Sequence, residues 1–161
     1  MSVIRACQML FVGYIGLFAA MVALNNITDY ASNFRLTQNV MGMETTFPHS
    51  RLRWRAVRAV GAHHVVYALI IALEAATGIL CLWGAFELYA ARGAAVADFQ
   101  AAKSIAFAGL ATGFSVWFGL FMIGAGQWFA SWQSTQWNGQ DAAFRFYMPI
   151  AVVFLILLQP A

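Results

Sequence analysis

Glu74 is the residue whose setting asks most of this chain. It stands in the run Ile70-Ile71-Ala72-Leu73-Glu74-Ala75-Ala76, near the middle of a long apolar segment. A carboxylate at the centre of a membrane helix costs about 2.5–3.5 kcal/mol on insertion scales, so it should face other helices or a partner rather than lipid. No Lys or Arg falls at matching depth. The hydroxyls of Thr112, Ser115 or Tyr14 are therefore its expected hydrogen-bond partners. One reading is a proton-relay or ligand-binding acid. The other is a protonated packing group, or an anchor for another subunit.

His64, Tyr67, Ile71, Glu74, Gly78 and Cys81 recur at spacings of three and four, which places them on one stripe of a helix. Small and polar residues line helix interfaces, so packing is the plainer reading of this stripe and a proton path the sharper one. His63 and His64 raise the question of haem. Adjacent helical residues point about 100° apart and cannot clamp one iron. The remaining histidine, His49, stands in a polar stretch after Pro48. No cofactor is expected from this chain alone. Haem or quinone at His63 and His64 would have to be shared with a partner.

Arg51, Arg55 and Arg58 share a face at helical spacing, with Arg53 and Trp54 beside them. Such a cluster sets topology and snorkels to lipid phosphates, or grips anionic lipid or a neighbouring subunit. Bound lipids are expected. Cys7 and Cys81 make neither a metal nor a disulfide framework. There is no Gly-rich phosphate loop, no paired carboxylates at one depth and no nucleophile with an obvious base, so the chain is not expected to be an enzyme.

These residues are carried by an unusually apolar chain. Of 161 residues, 62% are hydrophobic and 9% charged, with a mean hydropathy of +0.71. A soluble domain carries roughly 25% charged residues. The net charge of +3 is concentrated in one connection rather than on a basic face, which argues against nucleic acid as a partner.

A spanning helix needs about 20 mostly apolar residues. Four segments qualify, at about 7–27, 62–89, 102–129 and 142–158, and the fold class expected is an all-α polytopic bundle of four transmembrane helices forming a single domain. The first segment is too long for a signal-peptide core of about 7–15 residues and is expected to stay as a span. Residues 28–61 form a long amphipathic loop. Asn138-Gly139 reads as a turn, Asp141 as the N-cap of the last helix, and Pro149 as a point that bends or loosens it. Gly109 and Gly113 allow close helix approach, and Trp128, Trp132 and Trp137 fit an aromatic belt.

Four spans put both termini on one side, with Arg5, Arg92 and Lys103. Arg35, Arg51, Arg53, Arg55, Arg58 and Arg145 fall on the other. The positive-inside rule places the 28–61 loop in the cytoplasm and the termini outside.

Two sets of polar motifs make the chain recognisable. Asn25-Asn26-Ile27-Thr28-Asp29-Tyr30, Asn33-Phe34, Met43-Glu44-Thr45-Thr46-Phe47-Pro48 and Trp54-Arg55-Ala56 form the first. Trp132-Gln133-Ser134, Trp137-Asn138-Gly139-Gln140 and Ala143-Phe144-Arg145-Phe146 form the second. Together they resemble a bacterial family of small integral membrane proteins catalogued as domain of unknown function 2165. The family more often has Asp where this chain has Glu44, which keeps the carboxylate. The resemblance implies four helices in the bacterial inner membrane and brings no activity with it.

Three functions follow as expectations. The first is a non-catalytic accessory or scaffold subunit of a larger membrane assembly, such as a respiratory or photosynthetic electron-transfer complex, because four helices offer little volume for an enclosed cavity, apolar aromatics fall on most helix faces and no catalytic set is recognisable. The second is a small transporter or proton conductor built on Glu74. The third is a haem- or quinone-binding anchor. Other membrane-protein subunits and membrane lipids are the expected partners.

Overall fold

The computed structural model describes residues 2–161. Among them the regular structure is entirely helical. Helix α1 spans Val3–Thr28, α2 Tyr30–Gly42, α3 Val60–Ala90, α4 Val96–Ala101, α5 Ser104–Phe114 and α6 Gln140–Leu158. From Ser115 to Trp128 the chain runs on from α5 as a π-helix, and Phe129 N–H continues that pattern by donating to the Gly124 carbonyl at 3.0 Å. Single 3-10 turns lie at Arg53–Arg55 and Ser131–Gln133.

Four helical runs are long and apolar enough to cross a membrane: Val3–Thr28, Val60–Ala90, Val96–Trp128 and Gln140–Leu158. They coincide with the four expected spans. The protein is a four-helix membrane bundle.

The connections depart from expectation more than the spans do. Residues 28–61 are not simply a loop, because α2 occupies much of them. The N-cap of α6 is Gly139, with Asp141 inside the first turn, where a carboxylate still suits the positive end of the helix dipole. Helix α6 continues through Pro149, so the proline removes one backbone donor without ending the helix.

Helix α3 is the centre of the bundle, packing most extensively on α1 and then on α5. Small residues bring these helices together. A Cβ on Gly78 would lie 2.9 Å from the Ala20 backbone nitrogen, and one on Gly84 would lie 2.6 Å from the Ala106 backbone. A Cβ on Gly109 would meet Cys81 at 2.7 Å. The core between the helices holds Val12, Ala19, Leu110, Val116, Trp117 and Ile150, among others.

The end of the bundle nearest the two termini is closed by polar groups. Lys103, almost completely buried, donates from Nζ to the Leu157 and Gln159 carbonyls, both at 2.8 Å. Gln8 Nε2 donates to the Ile156 carbonyl at 2.9 Å and the Gln159 carbonyl at 3.0 Å. Arg5 donates to the carbonyls of Arg92, Ala94 and Ala161 and lies 4.4 Å over the Phe99 ring. The last carbonyls of a helix have no partner within it, and cations suit its negative end. Lys103 and Gln8 satisfy both needs for α6. Arg5 and Lys103 lie at the end of the bundle where the topology expects them, and there they also bind carbonyls.

Candidate functional site

Glu74 is buried, 2% exposed, and its partner is Asn26 of α1. Asn26 Nδ2 donates to Glu74 Oε2 at 2.7 Å, and Asn33 Nδ2 of α2 donates to Asn26 Oδ1 at 2.6 Å. The Tyr67 hydroxyl donates to the Asn26 backbone carbonyl at 3.4 Å. Asn26 is therefore a hub joining three helices around the acid.

The expected hydroxyl partners are elsewhere. Thr112 and Ser115 each donate back to their own helix, to the Ala108 and Ala111 carbonyls at 2.8 Å, and Tyr14 is 61% exposed. The reason is register. Gly16 lies against Leu82 and Gly78 against Ala20, so α1 and α3 run antiparallel with residue numbers that sum to a nearly constant value. Continuing that seam past Ala20 brings Asn26 beside Glu74. Tyr14 falls several turns away.

The same counting sets the distance from the buried lysine. Gly84 lies on Ala106, so Lys103 falls level with Glu87 and Leu88, about 20 Å along α3 from Glu74 at 1.5 Å per residue. Within α3, a helix of 31 residues from Val60 to Ala90, Glu74 stands near the middle, as its sequence context suggests.

The acid borders a cavity of about 320 Å³, walled by Asn25, Asn26, Asn33, Thr37, Tyr67 and Glu74 on one side. Trp117, Phe121, Phe146 and aliphatic groups of Val22, Leu36 and Ile70 complete it. A second, largely apolar recess of about 130 Å³ shares Leu36, Thr37, Ile70 and Phe121 with the first and extends to Val66 and Phe129. Glu74 Oε1 receives no hydrogen bond from the described residues. An apolar pocket of several hundred Å³ with a few convergent polar groups is the usual form of a small-molecule site. The space is a cleft open on one side, with exposed Asn25 and Asn33 at its edge, rather than an enclosed cavity. The π-helical stretch supplies Trp117 and Phe121 to this wall.

The helical stripe through Glu74 is only partly an interface. Tyr67, Glu74, Gly78 and Cys81 are buried, Ile71 is half-buried and His64 is exposed. The buried histidine is His63, whose Nε2 lies 2.7 Å from the Val57 carbonyl. His64 stacks on Phe34 with ring centroids 4.1 Å apart, and its Nδ1 lies 2.9 Å from the Tyr30 hydroxyl. Each histidine thus has one ring nitrogen engaged within the fold, fastening α3 to a different neighbouring segment.

The arginine cluster is not helical as its spacing suggested. Only Arg53–Arg55 form a turn, and residues 56–59 are irregular. Arg51, Arg53, Arg58 and Trp54 are exposed. Arg55 instead donates to the Trp128 carbonyl at 3.2 Å and lies over the Trp128 ring at 4.7 Å, sealing the end of the π-helical stretch. Arg58 joins His63, Glu44, Gln38 and Asn39 around a polar surface hollow.

Asn26 and Asn33 are the functional candidates that sequence reasoning passed over. Asn26 read as the polar end of a span. Aligning the small residues of the first two spans in antiparallel register was the signal that would have found it.

No curated protein and no solved structure matches the chain. The family model described as predicted small integral membrane protein (DUF2165) matches residues 4–160. That match covers all four spans together with α2 and the residues around Glu74, and the chain belongs to this family of small integral membrane proteins.

Proposed function

We propose that this chain is a small transporter-like binding protein of the bacterial inner membrane. A lipid-soluble small molecule enters the cavity beside Glu74, and the carboxyl group holds or releases a proton as it does so. One observation carries the reading: Glu74 lines a cavity of about 320 Å³, while only one of its carboxyl oxygens, Oε2, is held by Asn26. A group that served packing alone would have no use for the space beside it.

Ligand binding stabilises the folded state by RT ln(1 + [L]/Kd). The test is a melting-temperature screen of the purified protein against neutral, anionic and cationic lipid-soluble compounds. Members of at least one class are expected to raise the melting temperature, and Ala142→Phe, which fills the cavity from its α6 wall, is expected to remove the effect. A flat response across all three classes, or a shift that survives Ala142→Phe, overturns the proposal.

The loop-side orientation belongs to the same proposal. Arg35, Arg51, Arg53, Arg58 and Arg145 are exposed on the α2 side, whereas Arg5 and Lys103 at the opposite end are committed to carbonyls. This supports a cytoplasmic 28–61 segment by the positive-inside rule. A periplasm-active reporter fused after Ser50 should stay inactive, and activity there would reverse the orientation.

A second reading, a non-catalytic accessory subunit of a larger complex, draws on another place. Ala111, Ser115 and Ala151 line a lipid-facing recess with Phe114, Ile150 and Phe154, and small residues permit close approach of a helix. Haem or quinone shared with a partner would belong to this reading. Mass spectrometry of gently purified protein should then show a companion membrane subunit at fixed stoichiometry. A lone monomer sinks it.

A further inference from the structure

We infer that the ligand of the Glu74 cavity is a small organic cation with apolar or aromatic substituents, a lipophilic amine or quaternary ammonium, which displaces the proton of Glu74. This rests on the binding reading above and adds the charge and class of the molecule.

The sign follows from what lines the cavity. Among the described residues Glu74 is the single acid there, and no Lys, Arg or His joins it. The cations nearest in the bundle interior, Arg5 and Lys103, are at the far end and are already bound to carbonyls. An anion entering this space would meet a carboxyl group and no counter-charge, and burying an unpaired charge is prohibitive. A cation would form an ion pair at low dielectric, where the attraction is strongest.

The walls point to the same class. Tyr67, Trp117, Phe121 and Phe146 present four aromatic rings around one acid. Aromatic faces attract cations, and desolvated sites attract them more strongly than exposed ones. A bare metal ion would want several oxygen ligands. Here Glu74 is the single carboxylate, and among the described residues no three His, Cys, Asp or Glu side chains come together as a metal site. The adjoining apolar recess provides space for hydrocarbon substituents.

The exchange balances simply. The O–H bond of the neutral Glu74 carboxyl breaks, a proton leaves to solvent, and the carboxylate pairs with the incoming cation without any redox change. The other ionisable groups nearby are few. Tyr67 is on the same helix, and Asp29 and Tyr30 stand at the α1–α2 junction. The π-helical stretch and α6 contribute only uncharged residues to the cavity, with Arg145 and Asp141 of α6 exposed outside it.

The experiment uses tetraphenylphosphonium and tetraphenylborate, ions of nearly equal shape and opposite charge, with triphenylphosphine oxide as the neutral probe. Binding to purified protein is measured by calorimetry and by quenching of tryptophan fluorescence. Tetraphenylphosphonium is expected to bind saturably and to bind more weakly as the pH falls. Glu74→Gln should weaken it by about 30-fold or more, the lower range for losing one partner of a buried charge pair, and Glu74→Asp should retain most of it. Calorimetry in two buffers of different ionisation enthalpy, at a pH acidic enough for Glu74 to carry its proton before binding, should show about one proton released per cation bound, a readout that needs no variant to fold. Equal or tighter binding of the neutral or anionic probe, or cation binding without proton release, overturns the cation assignment while leaving the cavity reading in place. Failure of all three probes, with a flat compound screen, removes both.

Discussion

The hydrogen bond from Asn26 to Glu74 gives a sharp test of the register that builds the site. At 2.7 Å it joins α1 to α3 inside the bundle, and each of its two side chains is at least nine-tenths buried. Asn26→Leu leaves Glu74 Oε2 without its donor. It also frees Asn33, but Asn33 is exposed and recovers by bonding to water. Glu74→Leu leaves the Asn26 amide without its acceptor. The double variant restores an apolar pair with nothing left unpaired, and replacing both partners of a hydrogen bond is far milder than removing one. Interhelical hydrogen bonds in a membrane bundle average about 0.6 kcal/mol in double-mutant cycles and reach about 1.7. The short, buried geometry places this pair in the upper half, so a coupling of about 1–1.5 kcal/mol is expected. Reversible unfolding in mixed micelles of dodecyl sulfate is the suitable assay. Both states stay in a micelle there, which largely cancels the cost of inserting each side chain. If the single effects add to the double effect within about 0.3–0.5 kcal/mol, the ordinary limit of independence, the two residues do not meet and the register is wrong.

Two further substitutions probe the packing and the closed end. Gly84→Ala would place a Cβ 2.6 Å from the Ala106 backbone; overpacking of this kind costs about 1–3 kcal/mol, against about 1 kcal/mol regained in helix propensity. A lower melting temperature than wild type is expected, with Gly119→Ala, which meets nothing within 4 Å, neutral or stabilising. The opposite ranking would refute the α3–α5 seam. Lys103→Met removes two charged hydrogen bonds to the end of α6, each worth about 1.5–3 kcal/mol before the relief of the buried charge is counted. Amide exchange across Leu157–Gln159 should quicken by at least about tenfold, while Arg92→Met, on an exposed side chain, should leave it unchanged; unaltered exchange in Lys103→Met would show that the lysine does not hold α6.

The spans were legible because bilayer depth is written in composition. An apolar run with its charges at the ends admits few other structures, and the runs at about 7–27, 62–89, 102–129 and 142–158 correspond to the four observed helices. Azimuth and register are not written in the same way. Lipid-facing and partner-facing positions are both apolar, so hydropathy does not distinguish Leu10, which is exposed, from Val12, which is wholly buried. Thr112 and Ser115 looked like partners because their depth was plausible, but in a helix a hydroxyl can always return to the carbonyl four residues back, and both do so. Glu74 itself was legible by its cost. What surrounds it depended on which helix it faced.

The placement of the site follows from where α1 stops. Asp29, with φ −119° and ψ 60°, interrupts the chain between α1 and α2, and Ser32 Oγ donates to Asp29 Oδ2 at 2.7 Å across the interruption. In the α1–α3 seam this break falls beyond Glu74 toward the loop side, so the part of α3 from Val60 to Ile70 is no longer covered by α1. Helix α2 covers it instead, through Tyr30 and Phe34 against His64 and Tyr67. A helix continuing straight from α1 would have packed along α3 and filled the space with side chains. A second helix leaving at an angle lays Leu36, Thr37, Val40 and Met41 over a gap. Non-helical backbone near membrane depth is tolerated where it lines a cavity or is covered by protein. The polar residues Asn25, Asn26 and Asn33 cluster around the break, and two of them reach Glu74 directly or through one another. The amphipathic segment that sequence alone presents as a connection thus forms one wall of the cavity beside the acid.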